Sequence, residues 1–345
     1  MLGHFRPVFW AFFFLCIAEC GLEVRASRKG FRTHLFGSAA AQHTEHAGEH
    51  SARTNASTEE TFGPTPDFPF RSRVCDSKRT DKLRIWIASS SHAEDVRIPP
   101  NAIFPSVLQK ELQQLGIRCE ILNASKAGMS IRQNIQQYER LSPTWQPDIV
   151  VVYQLANDFA SSCRREKEPT HEGPKPQGLP KIELGVQGFV ERTTAYELVK
   201  ANLSPLIAQS RESKDVIPKS FLGSFEQDLS SMLTAANSRN ADCFICTFGL
   251  SHIDTKTFPS NYKLVLSSIL PEYSSTAWIQ ATSEGNSIIR ARFAKHFDLA
   301  AVLRGQTQLY RDPVHFSAAG HQFVGAWLAQ EIAENIDLRN ETVER

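Results

Sequence analysis

A surplus of charge of either sign is what this sequence most plainly lacks. Its 345 residues carry 38 Lys and Arg against 37 Asp and Glu, a formal net charge of +1. No bulk attraction therefore draws the chain to nucleic acid or to an anionic membrane surface, and neither is expected as a partner on electrostatic grounds. Cysteine is scarce at 7, too few for a disulfide-built scaffold in a chain long enough to stabilise itself by apolar burial. No apolar run reaches the roughly 20 residues that a membrane-crossing helix needs; the unbroken run from Val8 to Ala18 is about half that length. Glycine and proline, 18 of each, are spread along the chain without a repeat, which excludes collagen-like architectures. What is present is ordinary globular composition, 41% hydrophobic and 22% charged. At roughly 150 residues per domain, the length allows about two domains or one large α/β unit with appendages.

The apolar residues are unevenly placed. Phe5, Phe9, Phe12, Phe13 and Phe14 crowd the front of the chain, in and just before a run that Arg6 and the amino terminus flank with positive charge. This pattern reads as a secretory signal rather than a membrane span, with cleavage after Ala26 or after Cys20. Residues 1–26 are accordingly assigned to a signal peptide, and the body is expected to be exported, secreted or periplasmic. An uncleaved anchor is the alternative, and would be the protein's only tie to a membrane. Residues 27–81 lack apolar periodicity, are rich in Ser, Thr, Ala, Gly, His and charge, and read as a disordered linker. His43, His46 and His50 have no packed frame there to fix coordination geometry, so they read as polar linker residues and not as metal ligands. Cleavage leaves Cys75, Cys119, Cys163, Cys243 and Cys246, an odd set in which at most two disulfides can form. Cys243 and Cys246 have redox-pair spacing but sit in a run that reads as a buried strand, where residues three apart face opposite sides.

From Lys82 the chain alternates branched apolar runs with amphipathic stretches, the rhythm of a parallel sheet covered by helices. Strands are expected at 83–88, 118–122, 148–155, 243–248 and 297–302, the third being central because it is apolar on both faces. Helices are expected at 104–115, 130–140, 195–209, 225–236, 288–296 and 318–335. Residues 160–192, with Pro169, Pro174, Pro176 and Pro180 among many charges, interrupt this pattern as an insertion. The body is thus 82–337, with a tail at 338–345.

In open α/β sheets the binding site forms beyond the carboxyl ends of the strands. Here the first strand runs into Ser89-Ser90-Ser91-His92, the second into a loop through Gly128, and the third into Asn157-Asp158, while Asp312-Pro-Val-His315 stands just ahead of the last helix. A hydroxyl, a backbone amide at a glycine, a carboxamide and an Asp-x-x-His pair are together the inventory for acyl transfer. Singly, each has a plainer reading: Ser91 as a helix cap, Gly128 as a residue of positive φ, and Asn157 and Asp312 as turn residues. His92, His252, His296 and His321 read as surface or packing histidines, and Trp86 and Trp327 as core.

The order and spacing of these blocks resemble those of the SGNH hydrolases, the superfamily that includes the GDSL esterases and lipases, over about Leu83 to Ile336. The resemblance implies a three-layer α/β/α sandwich with a parallel, flavodoxin-like sheet. It implies Ser91 as nucleophile, His315 as general base and Asp312 as the carboxylate that orients it. It also implies an oxyanion hole made by the backbone amides of Ser91 and Gly128 and the side-chain amide of Asn157. No metal or organic cofactor is implied. The chain departs from the family pattern at Ser89 and Ser90, where Gly and Asp are usual, and at Leu155, where Gly is usual. Leu155 is expected to narrow the pocket or stiffen the loop.

The function expected on this footing is an exported serine esterase that hydrolyses carboxylic esters, acyl or acetyl, of a small molecule or a glycan. An O-acyltransferase using the same triad and a non-catalytic binding protein of the same fold are the alternatives. The insertion at 160–192 follows the third strand and is expected to form part of the substrate wall. Oligomeric state is left open.

Overall fold

Strands apolar on both faces are satisfied inside a parallel sheet that helices cover on either side. In the computed structural model of the protein, which describes residues 61–165, 213–270 and 272–343, five segments take that solution. β1 (Leu83–Ala88), β2 (Cys119–Asn123), β3 (Ile149–Val152), β4 (Asp242–Cys246) and the short β5 (His296–Phe297) form one sheet in the order β2-β1-β3-β4-β5, each pair parallel. Ile85 of β1 stands opposite Ile121 on one side and Ile149 on the other. The residues read as a signal peptide, most of those read as a linker, those read as an insertion beyond residue 165 and the helix expected at 195–209 lie outside the described residues.

Among the described residues the α-helices are nine: α1 (Ser91–Glu94), α2 (Phe104–Gln114), α3 (Ile131–Trp145), α4 (Ala156–Arg165), α5 (Lys219–Asn237), α6 (Ser260–Ile269), α7 (Ser275–Arg292), α8 (Leu299–Leu303) and α9 (Ala318–Val343). The first crossover runs from β1 out to β2, and the next returns past β1 to β3. Because such crossovers are right-handed, the reversal sends α2 to one face of the sheet and α3, α5 and α7 to the other. Helix pairing agrees: α2 packs on α9, while α3, α4 and α7 pack on α5. The result is a three-layer α/β/α sandwich. Among the described residues no helix is long and apolar enough to cross a membrane.

Among the departures of the structure from the sequence reading, four stand out. Residues 61–81 are not wholly a solvated linker, since Phe68 and Phe70 are buried against Trp145 and Trp86 with ring centroids 4.9–5.4 Å apart. Two aromatic anchors suffice to bury a stretch whose average composition is polar. Arg84, itself fully buried, holds the following turn by donating to the carbonyls of Asp76, Ser77 and Lys78 while pairing with Glu120. Second, residues 160–165 complete α4, so the break in rhythm begins later than 160. Third, the expected strand at 297–302 stops at Phe297. Asp298, bound to Thr247 and Arg290, turns the chain into α8, and the helix expected from Ile288 already begins at Ser275, where Ser274 Oγ accepts the Thr276 and Ala277 N–H groups. Fourth, α9 runs on to Val343, through most of the expected tail.

Contact between α2 and α9 is close enough to demand a glycine. A Cβ on Gly325 would stand 2.6 Å from Val107 Cβ and 2.8 Å from the Phe104 carbonyl oxygen, neither of which can swing aside. Gly325→Ala is expected to cost about 1–3 kcal/mol of overpacking, only partly offset by roughly 1 kcal/mol of helix propensity. Calorimetry should show a melting temperature a few degrees lower, and an unchanged or raised one would contradict this packing.

Candidate active site

Where strand order reverses, two loops leave adjacent strands in opposite directions and open a crevice at their carboxyl ends. That point lies here between β1 and β3, and the segments leaving β1, β2 and β3 carry Ser91, Gly128 and Asn157. Ser89 Oγ donates to the Tyr153 carbonyl at 2.7 Å, and the Ser89 carbonyl accepts from Asn134 Nδ2 at 3.1 Å. These bonds hold the chain as it turns from β1 into α1. Ser91 is the first residue of α1, so its backbone N–H has no partner within the helix.

His315 arrives from the far end of the sequence. Arg311 N–H donates to the His315 carbonyl, and Tyr310 pairs with Phe316, closing a tight turn with Asp312 and His315 at its tip. Asp312 Oδ1 accepts the backbone N–H groups of Val314 and His315 at 3.1 and 2.8 Å. The same carboxylate meets His315 Nδ1 at 2.8 and 2.9 Å. Asp312 is therefore the turn residue of the plainer reading and also the carboxylate that His315 Nδ1 meets. With Nδ1–H donating to Asp312, the neutral ring offers its Nε2 lone pair to Ser91 Oγ, 2.8 Å away. Burial works to raise the Asp312 carboxyl, but the hydrogen bond from His315, its attraction and the two backbone N–H groups outweigh this and hold it below its usual value. A base must be within about 2.6–3.2 Å of the proton it takes and be oriented by a third group, and these three residues meet both conditions.

The expected oxyanion donors lie on segments tied to one another. Ala127 N–H donates to Glu94 Oε2 at 2.5 Å, fastening the β2 loop to α1. From the other side Asn157 Nδ2 donates to the Met129 carbonyl at 3.1 Å, and Gln154 Nε2 donates to the same oxygen at 2.9 Å. Between these ties stands Gly128, exposed, with φ +81, a conformation natural to glycine alone. Asn157 spends one amide proton on Met129, and its other is the one available to a ligand. Asp158, next in sequence, is buried and accepts the Ile131 N–H at the start of α3, so the two residues of α4 clamp the β2 loop where it enters α3.

Three features of the site were not legible beforehand. His92 is 1% exposed and lies face to face with His315; a histidine beside a serine carries no sequence signal for that. Asp95, just past α1, binds Arg311 at 3.0 Å and His321 Nε2 at 3.1 Å, while His321 Nδ1 accepts the Phe104 N–H. His321 is thus a packing histidine with a structural partner. Leu155 does not narrow the crevice: it is fully buried beside Phe225 and Gly285, filling the space a side chain at 285 would take.

Four cysteines are poor nucleophiles where they stand: burial pushes the thiols of Cys75, Cys119 and Cys243 up to about 12 and that of Cys246 upward too. Cys243 and Cys246 lie buried within β4, as read from the sequence. Among the described residues no group of three His, Cys, Asp or Glu side chains is arranged to hold a metal ion. A cleft of about 500 Å³ does open at the amino-terminal ends of β3 and β4, lined by Arg79, Pro143, Asp148 and Arg239 among others. It is at the opposite end of the sheet from Ser91 and has no nucleophile–base pair.

No protein-family profile and no curated protein matches the chain. Among solved structures it is similar to a lipase/acylhydrolase from Enterococcus faecalis (16% identity, 73% of this chain and 96% of that one, TM-score 0.44). It is similar also to an acetyl xylan esterase (12% identity, 72% and 100%, TM-score 0.44) and to a psychrotrophic esterase from Pseudoalteromonas sp. (12% identity, 74% and 100%, TM-score 0.43).

Two outcomes are expected from this geometry. Were Asn157 the oxyanion donor that the resemblance implies, Asn157→Ala should lower kcat on an ester about 10²- to 10³-fold; steady-state rates equal to the parent's would deny it that role. Asp95, pressed upward by burial but held down to about 2 by His321 and Arg311 against an ordinary 3.8, should stabilise the fold by on the order of 2 kcal/mol above pH 4. Since its folded value is the depressed one, that stability is present above the ordinary value and lost as pH falls toward about 2. Asp95→Asn should flatten this acid limb in chemical denaturation, and an unaltered limb would refute the assignment.

Proposed function

We propose that this chain is a serine esterase that hydrolyses carboxylic esters through an acyl-serine intermediate. The observation that carries the reading is the continuous hydrogen-bonded line from Asp312 through His315 to Ser91, with spacings of 2.8–2.9 Å. A serine hydroxyl is a weak nucleophile at neutral pH and needs such a base, a contribution of typically about 10²- to 10⁴-fold.

In the reaction, Ser91 Oγ attacks the ester carbonyl carbon as its proton passes to His315 Nε2. The carbonyl oxygen takes up the electron pair and is met by the N–H groups of Ser91 and Gly128 and by Asn157 Nδ2. Collapse of the tetrahedral intermediate breaks the bond to the alcohol oxygen, which leaves with the proton from His315. Water then repeats the sequence on the acyl-serine, giving up a proton to His315 and releasing the carboxylic acid and Ser91. Asp312 stays ionised throughout and stabilises the imidazolium.

The proposal extends to an exported protein acting on acyl or acetyl esters of a small molecule or glycan. Export is supported by the positively flanked run Val8–Ala18. The ester class is supported by the half-exposed side chains of His252 and Tyr262, which with Phe258 form an aromatic patch beside the triad loop, where Ser251 N–H donates to the Pro313 carbonyl.

Purified protein should turn over p-nitrophenyl acetate and be labelled by a fluorophosphonate at Ser91, with Ser91→Ala folded but unlabelled. Absence of labelling on a folded parent protein would overturn the esterase reading in favour of a binding protein.

A further inference from the structure

The residue after Ser91 is a buried histidine with nowhere to put one of its nitrogens. His92 points inward from α1, edge-on to Tyr153 and Phe248 at 5.5 and 5.0 Å and flat against His315, with centroids 5.3 Å apart and planes 25° apart. Its Nδ1 is 2.7 Å from Ser90 Oγ, while Nε2 is buried with no hydrogen-bond partner. Whichever tautomer the ring adopts, one polar atom is orphaned, at a cost of roughly 1–3 kcal/mol that an apolar residue of similar size would not incur. An unpaired buried group in direct contact with a proposed catalytic base calls for a role beyond filling space.

We propose that His92 is a positioning residue for the ester hydrolysis proposed above, on which this inference rests: its ring fixes the plane of His315 and offers a neutral aromatic face to the imidazolium that forms when Ser91 loses its proton. The spacing falls within that of offset-stacked rings and within about 6 Å for a cation over an aromatic face. Neutrality is essential, since a second cation there would oppose protonation of His315. It is secured by burial and then by repulsion from His315, which push His92 down to about 3. The charged and titratable groups around the pair are Asp312 and Arg311 on the triad loop, Asp95 past α1, His321 on α9, Tyr153 after β3, His252 after β4, and Tyr262 on α6, whose phenol is raised by burial and by the Asp312 charge. Ser90, standing where the family usually has Asp, supplies the hydroxyl that sets the ring's rotation. With a carboxylate in its place, the ring beside it would be drawn toward the charged form.

Two variants separate positioning from packing. His92→Leu removes the aromatic face. It is expected to lower kcat on p-nitrophenyl acetate about 10-fold with KM within about two-fold of the parent's, and to move the acidic limb of kcat/KM to lower pH. His92→Phe keeps a flat face and should retain most of the rate and the parent's limb. A titration of the His315 ring protons by NMR needs no substrate: its midpoint should fall in His92→Leu and stay near the parent's in His92→Phe. A folded His92→Leu protein with parental kcat and His315 midpoint would overturn the proposal. So would equal losses in both variants with the midpoint unmoved, which would assign His92 to packing. If the parent neither turns over esters nor is labelled at Ser91, the esterase reading fails by itself, and the NMR midpoints alone decide whether His92 acts on His315.

Discussion

The reversal of strand order at β1 is the constraint on which the rest of the site depends. One crossover leads outward to β2 and the next comes back past β1 to β3, so loops from three strands converge at one edge of the sheet. The segments that carry Ser91, Gly128 and Asn157 leave the sheet at one edge because their strands end at nearly the same level, a level set by the register of Ile85 with Ile121 and Ile149. A one-residue slip would turn every side chain of a strand to its other face and carry the following loop with it. His315 is the exception: it is separated from Ser91 by 224 positions and reaches it on a turn held between Tyr310 and Phe316.

Buried charge near this edge is arranged in opposed pairs. Asp95 faces Arg311 and His321, and Arg311 also lies 3.8 Å from the Asp312 carboxylate. Acids taken out of water must find donors or become protonated, and Asp95 and Asp312 each find several. Asp312 joins two tasks in one side chain, because the backbone amides that shape its turn also hold it ionised for His315. This economy explains why a residue read as an ordinary turn former and a residue read as a catalytic acid can be the same residue.

Three residues beside the site each have a specific neighbour. Ser89 is hydrogen-bonded to the Tyr153 carbonyl, which holds the approach to Ser91. Ser90 has its partner in His92. Leu155 is matched by the missing side chain of Gly285 on the helix above it. Ser89 and Leu155 are matched by neighbours far away in sequence, and Ser90 by a residue two positions on.

Much of the architecture was legible from one strand to the next. Branched apolar runs at β1 through β4 and the stripes of α2, α5 and α9 report burial directly, since the period of apolar residues is the period of the element. The Asp-x-x-His spacing likewise showed that 312 and 315 could share a turn. Where pattern averages mislead, the reading failed: two phenylalanines anchor a polar segment at 61–81, and Asp298 ends a strand that looked longer. The sequence by itself determined which groups were available for chemistry and which strands would carry them. Only the tertiary structure decided that Ser91 Oγ stands 2.8 Å from His315 Nε2 and that a buried His92 lies against that base. Such contacts join residues far apart in the chain, and no local periodicity encodes a distance across a sheet.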